Sequence, residues 1–177
     1  MNTKLIEQSI PVYQDWPQPG IRYMNTIELC NDPLAFRASV DWFCDLIEKH
    51  SIKDIFAADA RGFIWAAAAA YKMNIPLYTV RKKGKMPGEV WREEYQLEYG
   101  SDILELSKNI ALGDRPVLIV DDVLATGGTA EAIAKLVGNL QVKNHNIIIS
   151  VIVNLTSLGG QALLNRQGYQ VEGIVNV

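Results

Sequence analysis

Val117-Leu118-Ile119-Val120-Asp121-Asp122-Val123-Leu124-Ala125-Thr126-Gly127-Gly128-Thr129 is the stretch whose reading decides the fold. Four apolar residues, read as a strand over Val117 to Val120, end in two adjacent carboxylates. A loop of small residues then opens a helix over Thr129 to Leu140, with Ile133, Leu136, Val137 and Leu140 on its apolar side. In an open α/β sheet, ligands bind at the carboxyl ends of strands. Gly127 and Gly128 let backbone N–H groups converge on an anion, the helix N-terminus adds its positive end, and Thr126 and Thr129 add hydroxyl donors. The loop is therefore built for a phosphate. Asp121 and Asp122 stand beside it, placed for hydroxyl groups or a divalent cation. A phosphate next to vicinal hydroxyls describes a ribose 5-phosphate. No Gly-Lys-Ser/Thr follows, so this is not a Walker A loop, and it is not a Gly-x-Gly-x-x-Gly dinucleotide turn. An ordinary strand-to-helix turn with a capping threonine explains one glycine and leaves the other glycine and both acids unexplained.

Outward from this stretch the chain alternates strand and helix. Asp54 to Ala58 and Pro76 to Val80 read as strands around an alanine-rich helix, Gly62 to Met73. Ile147 to Val153 is a β-branched run buried on both faces, Gly160 to Gln167 a helix, and Val171 to Val177 a last strand. Such alternation predicts an α/β domain, with a mainly parallel sheet between helices. Asp32 as N-cap and Pro33 at the first turn start a helix that runs to about His50, with Phe36, Val40, Phe43, Cys44 and Ile47 on its apolar stripe. The first thirty residues, rich in turn formers, read as irregular chain wrapped on the domain. From Arg81 to Asp102 the rhythm breaks. This polar stretch has a basic start and an acidic, aromatic end, and it reads as a mobile lid; standing alone it would be a surface β-hairpin.

At 177 residues the chain fits one domain, and with 49% apolar and 21% charged residues its composition is that of a globular protein. A net charge of −3 gives no general affinity for nucleic acid or an anionic membrane. The N-terminus lacks a secretory pattern, and no apolar run is long enough to span a bilayer. Cys30 and Cys44 match no metal spacing and read as free thiols in a reducing cytoplasm. His50 and His145, the two histidines, lie in polar stretches, which argues against a histidine triad or a zinc site.

The segment around Asp121 and Asp122 resembles the phosphoribosyl pyrophosphate signature of the type I phosphoribosyltransferases. Asp59-Ala60-Arg61-Gly62-Phe63 is similar to that family's pyrophosphate loop. Val80 to Gly88 is similar to its flexible-loop opening, and Tyr95-Gln96-Leu97-Glu98-Tyr99-Gly100 to the end of that loop. Leu155-Thr156-Ser157-Leu158 matches a late segment of the base pocket, and Trp16-Pro17-Gln18-Pro19-Gly20-Ile21 the start of an N-terminal hood. Their combination and order narrow the resemblance to the adenine phosphoribosyltransferases. It implies the type I phosphoribosyltransferase fold, a mainly parallel Rossmann-like sheet flanked by helices, with a flexible loop and a small hood. Residues 1–177 form one domain in this reading, with 1–30 the hood and N-terminal segment and 81–102 the catalytic lid.

The resemblance also implies roles. Ala125, Thr126, Gly127, Gly128 and Thr129 bind the 5-phosphate, and Asp121 and Asp122 the ribose hydroxyls. Arg61 and backbone amides of a loop with a cis Asp59–Ala60 peptide meet the pyrophosphate. Arg81 reaches the pyrophosphate of a partner subunit, and Lys85 is a weaker pyrophosphate contact. Ile21 and Leu155 hold the base, Glu98 is the general acid/base, and Tyr99 packs the closed lid. Lys82, Lys83, Glu93 and Glu94 read as surface charge. Magnesium is expected through the pyrophosphate and water, with no protein ligand set of its own. The implied partners are adenine and phosphoribosyl pyrophosphate, in a cytoplasmic homodimer. The chain departs from the family after Gly20, where Tyr23-Met24-Asn25-Thr26 stands in place of an aromatic-Arg-Asp-Ile run, and Trp65 replaces a small residue. The departure falls in the hood, which sets base preference. A transferase for xanthine or hypoxanthine is thus the alternative enzyme. A non-catalytic phosphoribosyl pyrophosphate sensor predicts a DNA-binding domain and a degenerate lid, and neither is present in the sequence.

Overall fold

The uninterrupted apolar runs found in the sequence are the central strands of one sheet. The computed structural model describes residues 3–96 and 101–177. In chain order it contains α1 (Thr3–Gln8), β1 (Val12–Gln14), β2 (Arg22–Met24), a 3₁₀ segment at Thr26–Asn31, α2 (Pro33–Lys49), β3 (Asp54–Ala58) and α3 (Gly62–Met73). Then follow β4 (Leu77–Lys82), β5 (Val90–Gln96), β6 (Ser101–Ser107), β7 (Val117–Leu124), α4 (Gly128–Gly138), β8 (Ile147–Asn154), α5 (Gly160–Arg166) and β9 (Gln170–Asn176). Among the described residues the main sheet runs β5-β6-β4-β3-β7-β8-β9. Neighbours from β4 through β9 are parallel, and β6 joins β4, and β5 joins β6, antiparallel. β3 and β8 are buried along their whole length, as expected where helices cover both faces.

One apolar layer unites α2, α3 and the N-terminal segment through Phe43, Ile47, Trp65, Leu29 and Ile6. The other unites α4 and the β5–β6 hairpin through Ile133, Leu136, Leu104 and Leu106. Asp32 caps α2 as the sequence implies, its carboxylate accepting from the Leu34 and Ala35 amides. Both cysteines are free. No helix among the described residues is long and apolar enough to cross a membrane.

Three expectations change. The first thirty residues are not irregular: they form α1, the β1–β2 hairpin and the 3₁₀ segment, because Ile6, Ile10, Met24 and Leu29 bury themselves against the domain. The described residues between 81 and 102 are not structureless either. The basic turn leads into β5, and β5 pairs with β6, which the sequence reading left unassigned as far as Ser107. A carboxylate organises this hairpin. Glu105, 1% exposed, accepts from Arg92 Nε at 2.9 Å and from the Gly84 amide at 2.9 Å. The Arg92 hydrogen bond, against the effect of burial and helped by the amides of Gly84 and Met86, holds its carboxyl below the ordinary range. Lastly, β7 continues through both acids to Leu124 rather than stopping at Val120.

Trp65, the residue with no counterpart among small family residues, is fully buried in the α2–α3 layer and donates from Nε1 to Ser39 Oγ at 3.0 Å. Truncating it leaves a cavity and removes the indole N–H that Ser39 Oγ accepts, while that hydroxyl keeps its own bond to the Phe36 carbonyl at 2.7 Å. Trp65→Ala is expected to cost about 3–5 kcal/mol in denaturant unfolding, whereas Tyr71→Ala, at a site 92% exposed, leaves stability nearly unchanged.

Candidate active site

Two loops meet at the carboxyl ends of β3 and β7, which are neighbours in the sheet. From β3 the chain steps outward to β4, and from β7 it steps the other way to β8. The strand order reverses here, so a crevice opens between the two loops.

The first loop, Asp59-Ala60-Arg61, enters α3 at Gly62, and its Asp59–Ala60 peptide is cis. A Cβ on Gly62 would lie 2.5 Å from the Val120 carbonyl oxygen and 3.2 Å from Asp121 Cα. Only glycine permits that approach. It brings Arg61 to the acids of β7. Arg61 Nε lies 3.1 Å from Asp122 Oδ2, and its Nη1 donates to the Tyr23 hydroxyl at 3.0 Å. Asp122, 2% exposed, also accepts from Thr26 Oγ1 at 2.6 Å. A cation at a helix start opposes the helix dipole, and here the buried carboxylate offsets it.

The second loop, Ala125 to Gly128, leaves β7 and starts α4. Gly127 has φ 93°, and a Cβ on it would come within 3.2 Å of Gly160 Cα. Gly160 donates from its amide to the Ala125 carbonyl at 3.1 Å, and a Cβ on Gly160 would lie 2.8 Å from Gly127 N. Two glycines of different elements thus pack backbone against backbone and fix the loop's shape. Thr126 is exposed, and Thr129 at the first turn of α4 hydrogen-bonds Tyr95 of β5.

The alternation of β7 slips at the two acids. Val117 and Ile119 pack in the α4 layer and Leu118 and Val120 in the α3 layer, yet Val123 joins the α3 layer and Leu124 the other. Strict alternation would give the opposite for the last two. Burial, with the neighbouring Asp122 carboxylate and against the pull of Arg61, pushes the Asp121 carboxyl well above its ordinary range.

Cations gather on the outer side of the first loop. Arg81 Nε lies 3.0 Å and Lys85 Nζ 3.7 Å from Asp59 Oδ2. Burial opposes the charge on Asp59, but Arg81, the Lys82 amide and Lys85 hold its carboxyl below the usual range. On the other side of the crevice lies a cavity of about 400 Å³, walled by Gly20, Ile21, Met24, Ala125, Leu155 and Leu158.

A glycine-rich loop, two acids and an arginine therefore stand at the carboxyl ends of two neighbouring strands, beside a cavity that Ala125 shares with Ile21 and Leu155. Residues 29–172 match the model of the phosphoribosyl transferase domain. The adenine phosphoribosyltransferase of Serratia proteamaculans is 38% identical over 174 residues, covering 98% of this chain and 86% of that protein. The chain belongs to the adenine phosphoribosyltransferase family. The adenine phosphoribosyltransferase of Thermoanaerobacter pseudethanolicus has a similar structure, with TM-score 0.89 and 36% identity over 99% of both chains. The Saccharomyces cerevisiae adenine phosphoribosyltransferase, solved with an imino-altritol bisphosphate and adenine, superposes with TM-score 0.89 at 29% identity over 98% of both chains.

Most residues singled out in this phosphoribosyltransferase sequence come together. Arg61 and Asp122 touch, Asp121 and Ala125 to Thr129 follow one another from the end of β7 into α4, and Ile21 and Leu155 wall one cavity with Ala125. Arg81 and Lys85 lie together on Asp59 of their own chain. Glu98 and Tyr99 lie outside the described residues. Lys82 is not free surface charge, because its Nζ pairs with Asp102 at 3.2 Å, and Glu93 pairs with Lys135 at 3.3 Å. The sequence assigns no site role to Gly160, Thr26, Tyr23 or Tyr95, although the last three lie in the hood and lid stretches it singles out. Each finds its partner in a distant part of the chain, which no local pattern reveals.

Two outcomes follow. Gly160→Ala forces a methyl group onto the Ala125–Gly127 backbone, and KM for phosphoribosyl pyrophosphate is expected to rise at least about tenfold with a smaller change in KM for the base. Were ribose hydroxyls to donate to Asp121, as the resemblance implies, they would need its ionised form, and protonation grows as pH falls through its raised pKa. Donor affinity should therefore weaken on the acid side at a pH above that of an ordinary aspartate, about 3.9. Asp121→Asn should bind more weakly and lose that pH dependence, as titration calorimetry across pH would read directly.

Proposed function

We infer that this protein transfers the 5-phosphoribosyl group of phosphoribosyl pyrophosphate to adenine, giving AMP and pyrophosphate in purine salvage. The observation that carries this reading is the adjacency of the Ile21–Leu155 cavity to the Asp121–Thr129 loop, with Ala125 belonging to both. A flat apolar base in the cavity then faces C1 of a ribose whose 5-phosphate sits in the loop.

Backbone N–H groups of Ala125 to Gly128 and the α4 N-terminus take the 5-phosphate, with Thr126 and Thr129 donating from their hydroxyls. Asp121 accepts from the ribose hydroxyls, and Asp122, already engaged by Arg61, supports them from behind. Arg61 uses two of its guanidinium contacts within the protein and offers the remaining donors to the pyrophosphate. The base nitrogen displaces pyrophosphate from C1 through an oxocarbenium-like transition state, and Glu98 removes the N9 proton, a contribution of about 10²–10⁴-fold. The β5–β6 hairpin, which carries Glu98 and Tyr99 between its strands, acts as the lid that excludes water.

No group of three or more His, Cys, Asp or Glu among the described residues gathers to hold a metal. The hard oxygens of Asp121 nevertheless suit the water shell of an ion that arrives on the donor. Magnesium bound in that way lowers the charge of the leaving pyrophosphate. The working unit is a homodimer in which Arg81 exchanges Asp59 for the pyrophosphate of the second copy.

The test is pyrophosphate release from phosphoribosyl pyrophosphate and magnesium with adenine, hypoxanthine, guanine or xanthine. Release with adenine alone, greatly slowed by Glu98→Ala, is the expected outcome. Release only with a 6-oxopurine would reassign the base through the altered hood, and donor binding without release for any base would make the protein a sensor.

A further inference from the structure

We propose that Tyr23 and Thr26 are positioning residues, through which the hood that walls the base cavity also presets the sugar–pyrophosphate site. The proposal rests on the reading of this crevice as the site of a phosphoribosyl donor. Both residues belong to the hood stretch: Tyr23 stands at its aromatic position, and Thr26 stands where the resemblance leads one to expect isoleucine, which adds a hydroxyl.

Each hydroxyl has one partner in the site. The Tyr23 hydroxyl accepts from Arg61 Nη1 at 3.0 Å, and Thr26 Oγ1 donates to Asp122 Oδ2 at 2.6 Å. Arg61 and Asp122 are themselves 3.1 Å apart, so the four side chains form one closed chain from hood to β7 and back. The hood end is fixed. Tyr23 pairs with Tyr13 in the β1–β2 hairpin, and its ring lies 4.3 Å from the Trp16 ring. Thr26 is fully buried, two residues from Met24, which walls the base cavity. A long arginine side chain otherwise loses rotamer freedom when an anion captures it. Two fixed contacts place that loss in folding rather than in binding. With the guanidinium's other N–H groups left over, the arginine waits in the crevice already aimed.

Calorimetry of phosphoribosyl pyrophosphate binding in the presence of magnesium tests this without needing turnover, on wild type, Tyr23→Phe, Thr26→Val and Thr26→Ser. Tyr23→Phe keeps the ring and its tilted contact with Trp16, so it separates the hydroxyl from the hood's shape. The expected result is donor affinity weakened about tenfold in Tyr23→Phe and in Thr26→Val, the scale of one charge-assisted hydrogen bond, with Thr26→Ser restored to within about threefold. In turnover, KM for the donor should rise more than kcat falls. Wild-type affinity in both Tyr23→Phe and Thr26→Val overturns the proposal, as does Thr26→Ser no better than Thr26→Val. Donor binding that follows the expected pattern while no purine base is turned over would support the positioning role and sink the transferase reading. A wild type that binds no donor overturns both.

Discussion

The backbone of α3 and the backbone of β7 touch at Gly62, and the site depends on that contact. With a Cβ position only 2.5 Å from the Val120 carbonyl oxygen, the contact admits no side chain. Because the two elements approach this closely, the residue before the glycine stands within ion-pair distance of Asp122 in β7. A side chain at position 62 would push α3 outward and separate Arg61 from Asp122. The second glycine contact, Gly127 on Gly160, does the same for the phosphate loop and the start of α5. Backbone proximity at these two points fixes where the two loops stand relative to β7 and α5.

Electrostatics then sorts the charged groups. Asp121 and Asp122 are adjacent in sequence but not equivalent. Asp122 is committed to Thr26 and Arg61, while burial and the neighbouring carboxylate raise the cost of ionising Asp121. An acceptor that is costly to leave charged and unpaired gains most when hydroxyl donors reach it. Asp59 plays a comparable part on the opposite side, where its carboxylate gathers Arg81 and Lys85. In the proposed reaction an incoming pyrophosphate, with more negative charge than one carboxylate, would compete for these cations on favourable terms.

The hairpin of β5 and β6 shows how a polar segment can still be ordered structure. Its core face is small, with Leu104, Leu106 and Tyr95 turned against α4. Glu105 supplies the remainder by satisfying the turn amides of Gly84 and the guanidinium of Arg92. The turn that presents Lys85 to Asp59 is thereby anchored to the strand two steps away in the sheet order. Tyr95 extends the same hairpin to Thr129, so the hairpin is tied to the phosphate loop as well.

Sequence alone determined the parts governed by local chemistry. Apolar runs at β3, β7 and β8 read as buried strands, Asp32-Pro33 as a helix start, and the Gly127-Gly128 turn as the link from β7 into a helix, because each depends on residues adjacent in the chain. The hood and hairpin were less legible. Their strands are short or polar, and what orders them lies far away: the domain surface under Ile6 and Leu29, and Glu105 under Arg92. Trp65 could not be interpreted until Ser39 was found beside its indole. Only the tertiary structure decided that Arg61 faces Asp122, that Ile21 and Leu155 wall one cavity, and that Tyr23 and Thr26 reach the sugar site. Those contacts join positions dozens of residues apart, and the chain must bury its core before hydrogen bonds of that span can form.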